Sequence, residues 1–579
     1  MERTEANADP GASPIPGGQE AQRDAGVPGA RRKPLVVVNA QGAARSELAA
    51  TVDRFPDHEV HVLAGPDELA QLDPVSLGAL AWGAVNDGQV NWCLRMIGSP
   101  SVIVDIAPGD EARHHGTWNR AFLHLAADGQ YVVPRTAFTT TADFEAWSRT
   151  VLLLRSCALG VPGAELSDRD RRLAAFVGGA RADEDSTAVV KRVNHVIKLR
   201  DLEATRIVAT RVPEVHVAEL ETRPAVTFSA RGRTFNHGNR APIAGMDTAF
   251  EVPARRVRSY EGPDVRVVER CLATVGNLVI PESFRFHLEK NLNNPRLTDV
   301  DPEFATINND WNASWDYLPG SYYHLDASNS GHFGHLMTEV LSKLWGWTRA
   351  KAEIPDLKAI FRIRQPGERE PRLELEIFGA FGISPDDIVW TGAPVRVDRL
   401  VAATPQWHNQ FPYYVDPDIS ETWERMGATL VRPDASGPEK IFVSRKPALK
   451  NRACRNTPEV ERYFESQGFT ILYPEDLTLT EQATVFANAR VVAGFGGSAL
   501  FNVGFAKRLE ALIVLNHEAY TARNEHLYGA VLGCDVHFFW SAPDVPHPAG
   551  GWSEEAYFSN WGFETDRLRS ELGALLGSL

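Results

Sequence analysis

His335 opens an apolar-periodic stretch, and Glu339 follows it four residues later. On a helix that spacing puts both side chains on one face, and an imidazole beside a carboxylate can take a proton from a hydroxyl. The loop DASNSG runs into GHFGHLMTEVLSKLW, where Leu336, Val340, Leu344 and Trp347 share a face, so the helix N-terminus falls at His332–His335. The helix dipole there lowers an imidazole pKa and favours the neutral form a base requires. Spacing alone favours a capping or packing histidine over a catalytic one.

A second cluster is cationic. The short apolar strand KIFV, from Lys440, ends at Ser444-Arg445, and Lys446, Lys450, Arg452 and Arg455 follow before Thr457-Pro458-Glu459 opens a helix. Guanidinium forks just past a strand's carboxyl end lie where doubly wound sheets bind ligands, and they suit a diphosphate. A solvated basic loop is equally open here. The third cluster is a glycine turn, Gly494, Gly496, Gly497 and Ser498, between a strand ending at Ala493 and a helix from Ala499 to Phe505. Such a turn can present backbone N–H groups to an anion. It lacks the complete dinucleotide, P-loop and hydrolase-elbow patterns.

In order and content these segments resemble glycosyltransferases of family 61. HLMTEVLSKLW from His335, LELEIFGAFGISPDDIVW from Leu373, VDRLVAATP from Val397, SRKPALKNRACRNTPEVE from Ser444 and EDLTLTEQATVFANARVVAGFGGSALFNVGF from Glu475 follow the family's blocks over about 320–540. One departure stands out: where the family's closing turn usually holds a histidine, this chain has Gly496.

The resemblance implies a GT-B-like pair of Rossmann-type domains and transfer, with inversion, from a nucleotide-sugar donor to a glycan or polysaccharide hydroxyl, as in capsule biosynthesis. It implies His335 as base with Glu339 orienting it. Arg445, Arg452 and the N–H groups of Gly496, Gly497 and Ser498 would take the charge of the departing diphosphate, while Glu481 and Asn502 hold the nucleotide. No cofactor or metal is expected beyond the donor. Asp299-Val-Asp301 and Asp416-Pro-Asp418 have the spacing of a metal-binding pair, but both sit in proline-bearing turn sequence.

These clusters need a framework, and 579 residues are too many for one core. We expect an α/β protein with a disordered tail over 1–33, a Rossmann-like domain over 34–158, and a linker with one helix over 159–205. An acceptor-side half with a β-rich opening follows over 206–430, and a nucleotide-sugar-binding half over 431–579. The strand and helix alternation from Pro34 argues a parallel sheet. IVDIAPGD and LAADGQYVV resemble the back half of class I methyltransferases, whereas NAQGAAR after the first strand is no glycine fingerprint. The linker helix is placed at Ser186–Leu199, and the stretch from Arg206 reads as strand. Asp110, His114 and His115 could pass for metal ligands, but surface polarity is the commoner reason for such a group.

A net charge of −15 argues against nucleic acid as a partner. The five cysteines form no CxxC pair, which suits reduced thiols in a cytoplasmic protein. The N-terminus has acids where a signal peptide has bases, and no apolar run approaches membrane-spanning length. A surface-glycan product would place the enzyme on the cytosolic side, with peripheral membrane association. Two alternatives remain: a non-catalytic binding or scaffold protein on a decayed transferase fold, and a bifunctional protein with an N-terminal methyltransferase.

Overall fold

The computed structural model describes residues 34–579 except 85, 164, 239–245, 269, 287, 309–314, 330, 363–371 and 447–450; the expected tail and Lys450 lie outside the described residues. The chain is mixed α/β and divides into two compact units, Met1–Val196 with Phe304–Thr306, and Ile197–Glu303 with Ile307–Leu579.

The first unit is built on seven strands, β1 Leu35–Asn39, β2 Glu59–Ala64, β3 Leu80–Gly83, β4 Val102–Asp105, β5 Gln130–Pro134, β6 Val177–Ala182 and β7 Ser186–Lys191. They lie in the order β3-β2-β1-β4-β5-β7-β6. The first five are parallel, and β7 runs antiparallel to both neighbours. Val36, Val37 and Val38 are fully buried, as expected of a strand covered on both faces. The chain builds outward from β1 to β3 and returns to β4, so the topological switch point falls between β1 and β4.

The expected linker over 159–205 is corrected by β6 and β7, which complete this sheet. STAVVK at Ser186 is rich in β-branched residues, and the Asp183 carboxylate fixes the hairpin by accepting from the N–H groups of Asp185 and Ser186. Trp147 then donates to Thr187 inside the core. The strand expected from Arg206 is also corrected. Asp201–Arg211 is a helix whose first turn Glu203 caps through the Arg200 N–H, and the strand begins only at His216.

The second unit carries β8 Thr234–His237, β9 Arg255–Val267, β10 Asp316–His324, β11 Lys358–Arg362, β12 Ile388–Thr391, β13 Val395–Ala403, β14 Lys440–Val443, β15 Thr470–Leu472, β16 Val491–Phe495, β17 Ala511–His517 and β18 Asp535–Ser541. One mixed sheet contains the run β9-β13-β10-β11-β12. A separate six-stranded sheet has the order β8-β18-β17-β16-β14-β15, and all its pairs are parallel. Its switch point lies between β14 and β16. A shared core including Leu344, Trp423, Leu500 and Tyr528 joins the two sheets. Among the described residues no helix is long and apolar enough to cross a membrane.

Candidate active site

Arg445 follows β14 and the glycine turn follows β16, so the cationic and glycine clusters flank the switch point of the parallel sheet. Ligands of open parallel sheets bind at that place because the two strands' outgoing loops diverge there and leave a crevice. A Cβ on Gly496 would come within 2.6 Å of Nδ2 of the buried Asn516 side chain on β17, so any larger residue at 496 requires that amide to move.

The backbone groups of the turn are used within the protein. Gly496 N donates to the Leu515 carbonyl at 2.9 Å, and Gly497 N donates to Glu525 Oε1 at 2.7 Å. This corrects the expectation that both N–H groups face a ligand. Ser498 takes the first position of the short helix Ser498–Phe505, which is 3₁₀ rather than α. N–H groups at such a position have no partner within the helix.

Arg452 fills the space over the turn. It adopts a left-handed backbone with φ 55°, and its Nη2 would lie 3.5 Å from a Cβ on Gly497. Its guanidinium stacks 4.2 Å over the Tyr520 ring, a favourable cation–π arrangement. Among the described residues its Nε and Nη1 are buried without hydrogen-bond partners. Burial, and then the like charge of Arg452, pull Arg445 down to about 10. Two cations crowded together repel each other, and an anion between them would relieve that repulsion.

His517, at the end of β17, adds to this environment. It is fully buried with neither ring nitrogen paired, and burial followed by the charge of Arg452 pulls it down to about 4. Tyr557 lies 5.0 Å from Tyr520 ring to ring. Burial pushes Glu525 up, which favours its neutral form.

The histidine helix meets the same turn. A Cβ on Gly334 would come 2.8 Å from Ser498 Cβ, so the start of that helix rests on the residue after the glycine pair. The helix is not uniform: Phe333–His335 is α, Leu336–Val340 is π and Leu341–Gly346 is 3₁₀. Its winding still places His335 Nδ1 2.7 Å from Glu339 Oε1. Arg285 grips that same oxygen, from Nε at 2.9 Å and from Nη2 at 2.8 Å. Burial pushes the Glu339 carboxyl up, but Arg285 and then His335 outweigh it and hold it down at about 2. An ionised carboxylate at 2.7 Å requires the proton on His335 Nδ1, which leaves Nε2 as the basic nitrogen.

The structure thus brings together His335, Glu339, Ser498, Gly497, Gly496, Arg452 and Arg445. Two expected nucleotide contacts stand elsewhere in role. Glu481 is the third residue of helix Leu479–Asn488, where its carboxylate accepts from the Thr478 N–H and hydroxyl at 2.8 Å as part of a capping box. Asn502 is fully buried and donates to Gln482 at 2.9 Å, tying two helices together.

The aspartate pairs are held by protein groups. Asp299 accepts from Lys198 at 2.7 Å and from the Leu292 and Asn293 N–H groups. Asp416 pairs with Arg255 and Gln406, and Asp418 pairs with Arg223 at 2.9 Å. Asp110 caps a helix, His114 bonds Asp105 at 2.9 Å, and His115 bonds Asp170 at 2.9 Å. Among the described residues no group of three or more His, Cys, Asp or Glu could hold a metal ion.

Fold and site together define an α/β protein in which Arg445, Arg452 and the glycine turn lie at a sheet's switch point and the start of a helix bearing a carboxylate-held histidine packs on Ser498. Residues 333–513 match the family described as Glycosyltransferase 61, and this match suggests glycosyltransferase activity. No curated protein matches the chain. Solved structures with some likeness include MycE methyltransferase from the mycinamycin biosynthetic pathway in complex with Mg and SAH, at 16% identity over 28% of this chain and 45% of that one, TM-score 0.23. An O-methyltransferase family protein from Burkholderia thailandensis shows 15% identity over 28% of this chain and 52% of that one, TM-score 0.19. The chain thus spans about half the length of these structures, an overlap too slight to bear on activity.

Proposed function

We propose that the protein is an inverting glycosyltransferase that moves a sugar from a nucleotide-sugar donor to a hydroxyl of a glycan acceptor. The observation that carries this reading is the Arg452 guanidinium, its Nε and Nη1 buried and unpartnered beside the Gly497 turn. In the proposed reaction His335 Nε2 takes the proton from the attacking hydroxyl, and Glu339 stabilises the imidazolium that results. The hydroxyl oxygen bonds to the anomeric carbon as the bond to the diphosphate oxygen breaks, so a single displacement inverts the centre. Arg445, Arg452 and the Ser498 N–H take the charge of the departing nucleotide diphosphate. The aspartate pairs are already engaged, so charge neutralisation falls to these arginines and no metal is required. Architecturally we read the two sheets of the second unit as the two halves of a GT-B-like enzyme.

The test is release of free nucleotide from a panel of sugar nucleotides in the presence of glycan acceptors. Changing Arg445 and Arg452 together to alanine should abolish turnover, and undiminished turnover would discard the reading. A non-catalytic binding protein is the second reading, favoured by Glu525 occupying the Gly497 N–H. Saturable nucleotide-sugar binding without turnover of any donor would select it.

A further inference from the structure

Strand β17 outlasts its neighbour β16. Leu515 is level with Phe495, where β16 ends, and Asn516 and His517 run on beside Trp540 and Ser541 of β18. His517 therefore stands level with the glycine turn, on the sheet edge where a parallel sheet receives its ligand. Its ring lies 6.4 Å from the Tyr520 ring and 6.1 Å from the Trp561 ring. Tyr520 is the ring over which Arg452 stacks, and Trp561 donates to the Arg452 carbonyl. Imidazole and guanidinium thus share one surrounding.

His517 is fully buried, and among the described residues neither Nδ1 nor Nε2 has a hydrogen-bond partner. Burial and the charge of Arg452 keep the free ring neutral at pH 7, so one nitrogen donates and the other accepts. Leaving both unmade in the interior costs stability and calls for an explanation. The other ionisable groups acting on the ring are engaged elsewhere. His547 bonds the Ala519 carbonyl at 2.9 Å and the Ser553 N–H at 3.1 Å, and Asp544 pairs with Arg455. What stands beside His517 with open hydrogen-bonding capacity is Arg452, through Nε and Nη1.

The missing partner must therefore accept from imidazole and guanidinium N–H groups together. A cation would meet the like charge of Arg452, whereas a phosphate oxygen cluster accepts from several donors at once. We propose that His517 donates a ring N–H to the diphosphate of the sugar donor beside Arg452, and so is a further donor-binding residue. This assignment rests on the transferase reading for the identity of the anion.

The experiment is calorimetry of the full chain with inorganic pyrophosphate, without metal, on the unchanged protein and on His517→Phe, His517→Asn and His517→Gln. Phe keeps a ring and removes the N–H, while the amide nitrogens of Asn and Gln stand where Nδ1 and Nε2 do. His517→Phe should weaken saturable pyrophosphate binding about tenfold, and Asn or Gln should recover most of that loss. By denaturant melts the ligand-free Phe variant should be at least as stable as the unchanged protein, because it takes two unmade polar groups out of the interior. A residue with only a packing role would not lose binding while keeping stability. No saturable binding by the unchanged protein, affinity in His517→Phe within threefold of it, or equal weakening in all three variants would overturn the proposal. Nucleotide release from sugar nucleotides is read separately. Turnover that His517→Phe leaves unchanged sinks this assignment alone, whereas His517-dependent pyrophosphate binding without turnover of any donor upholds the anion contact and sinks the transferase reading.

Discussion

At the scale of single residues the proposed chemistry rests on a proton held in one position. Glu339 fixes the His335 tautomer, and Arg285 fixes Glu339. Replacing His335 by Asn should lower kcat by about 10²–10⁴, the usual worth of a general base, with the donor KM nearly unchanged. Steady-state kinetics at saturating acceptor would show it. Glu339 also makes a prediction about stability. Its carboxyl is held at about 2 in the folded protein, below the ~4.3 of an unfolded chain, so its contribution is fully present above pH ~4.3 and disappears as pH falls toward 2. Glu339→Gln should flatten this acid limb by up to ~3 kcal/mol, as measured by denaturant melts between pH 5 and pH 2.5. Because the paired aspartates have arginine, lysine or amide partners, EDTA should leave turnover unchanged in the nucleotide-release assay.

The histidine and its carboxylate were legible in the sequence because i,i+4 spacing is local. Arg285, fifty residues upstream and flanked by Phe284 and Phe286, carries no local pattern that would announce it. His517 did leave a signal. It closes the strand ALIVLNH at its carboxyl end, the sheet edge that also singles out Arg445.

At the scale of elements the site depends on glycines that let neighbouring side chains pack directly against the backbone. Arg445 stands just past the end of β14 as the pattern predicts, whereas Gly494, expected in the turn, lies inside β16, which runs on to Phe495. The direction of the N–H groups was not legible, since it depends on Glu525, whose position past β17 is set by tertiary packing. The helix expected at Ser186–Leu199 falls on strand β7 for a related reason: strand pairing across Asp183 is decided by the partner strand β5, and no residue count in the segment reveals that partner. The Gly496 contact supports a specific test. Gly496→Ala would drive a Cβ to within 2.6 Å of Asn516 Nδ2, which should destabilise the protein by about 1–3 kcal/mol. Asn516→Gly removes the opposing side chain, so the double variant should regain most of that loss. A double-mutant cycle by chemical denaturation measures the coupling, and strict additivity would show that the two strands do not press on each other there.

At the scale of the whole molecule, the sheet of Leu35–Lys191 and the six-stranded parallel sheet each have their own switch point, one in each unit. A chain of this construction is not expected to unfold in one two-state step, and calorimetry should resolve two transitions. A ligand that binds only the native form of one unit stabilises that unit by RT ln(1 + [L]/Kd), about 2.7 kcal/mol at a hundredfold excess over Kd. UDP at saturating concentration should therefore raise the transition of the second unit alone, and this shift should vanish with Arg452→Ala. If UDP raised both transitions equally, its effect would be a general one of polyanions on cationic surface, and the assignment of the diphosphate to the Arg452 crevice would fall.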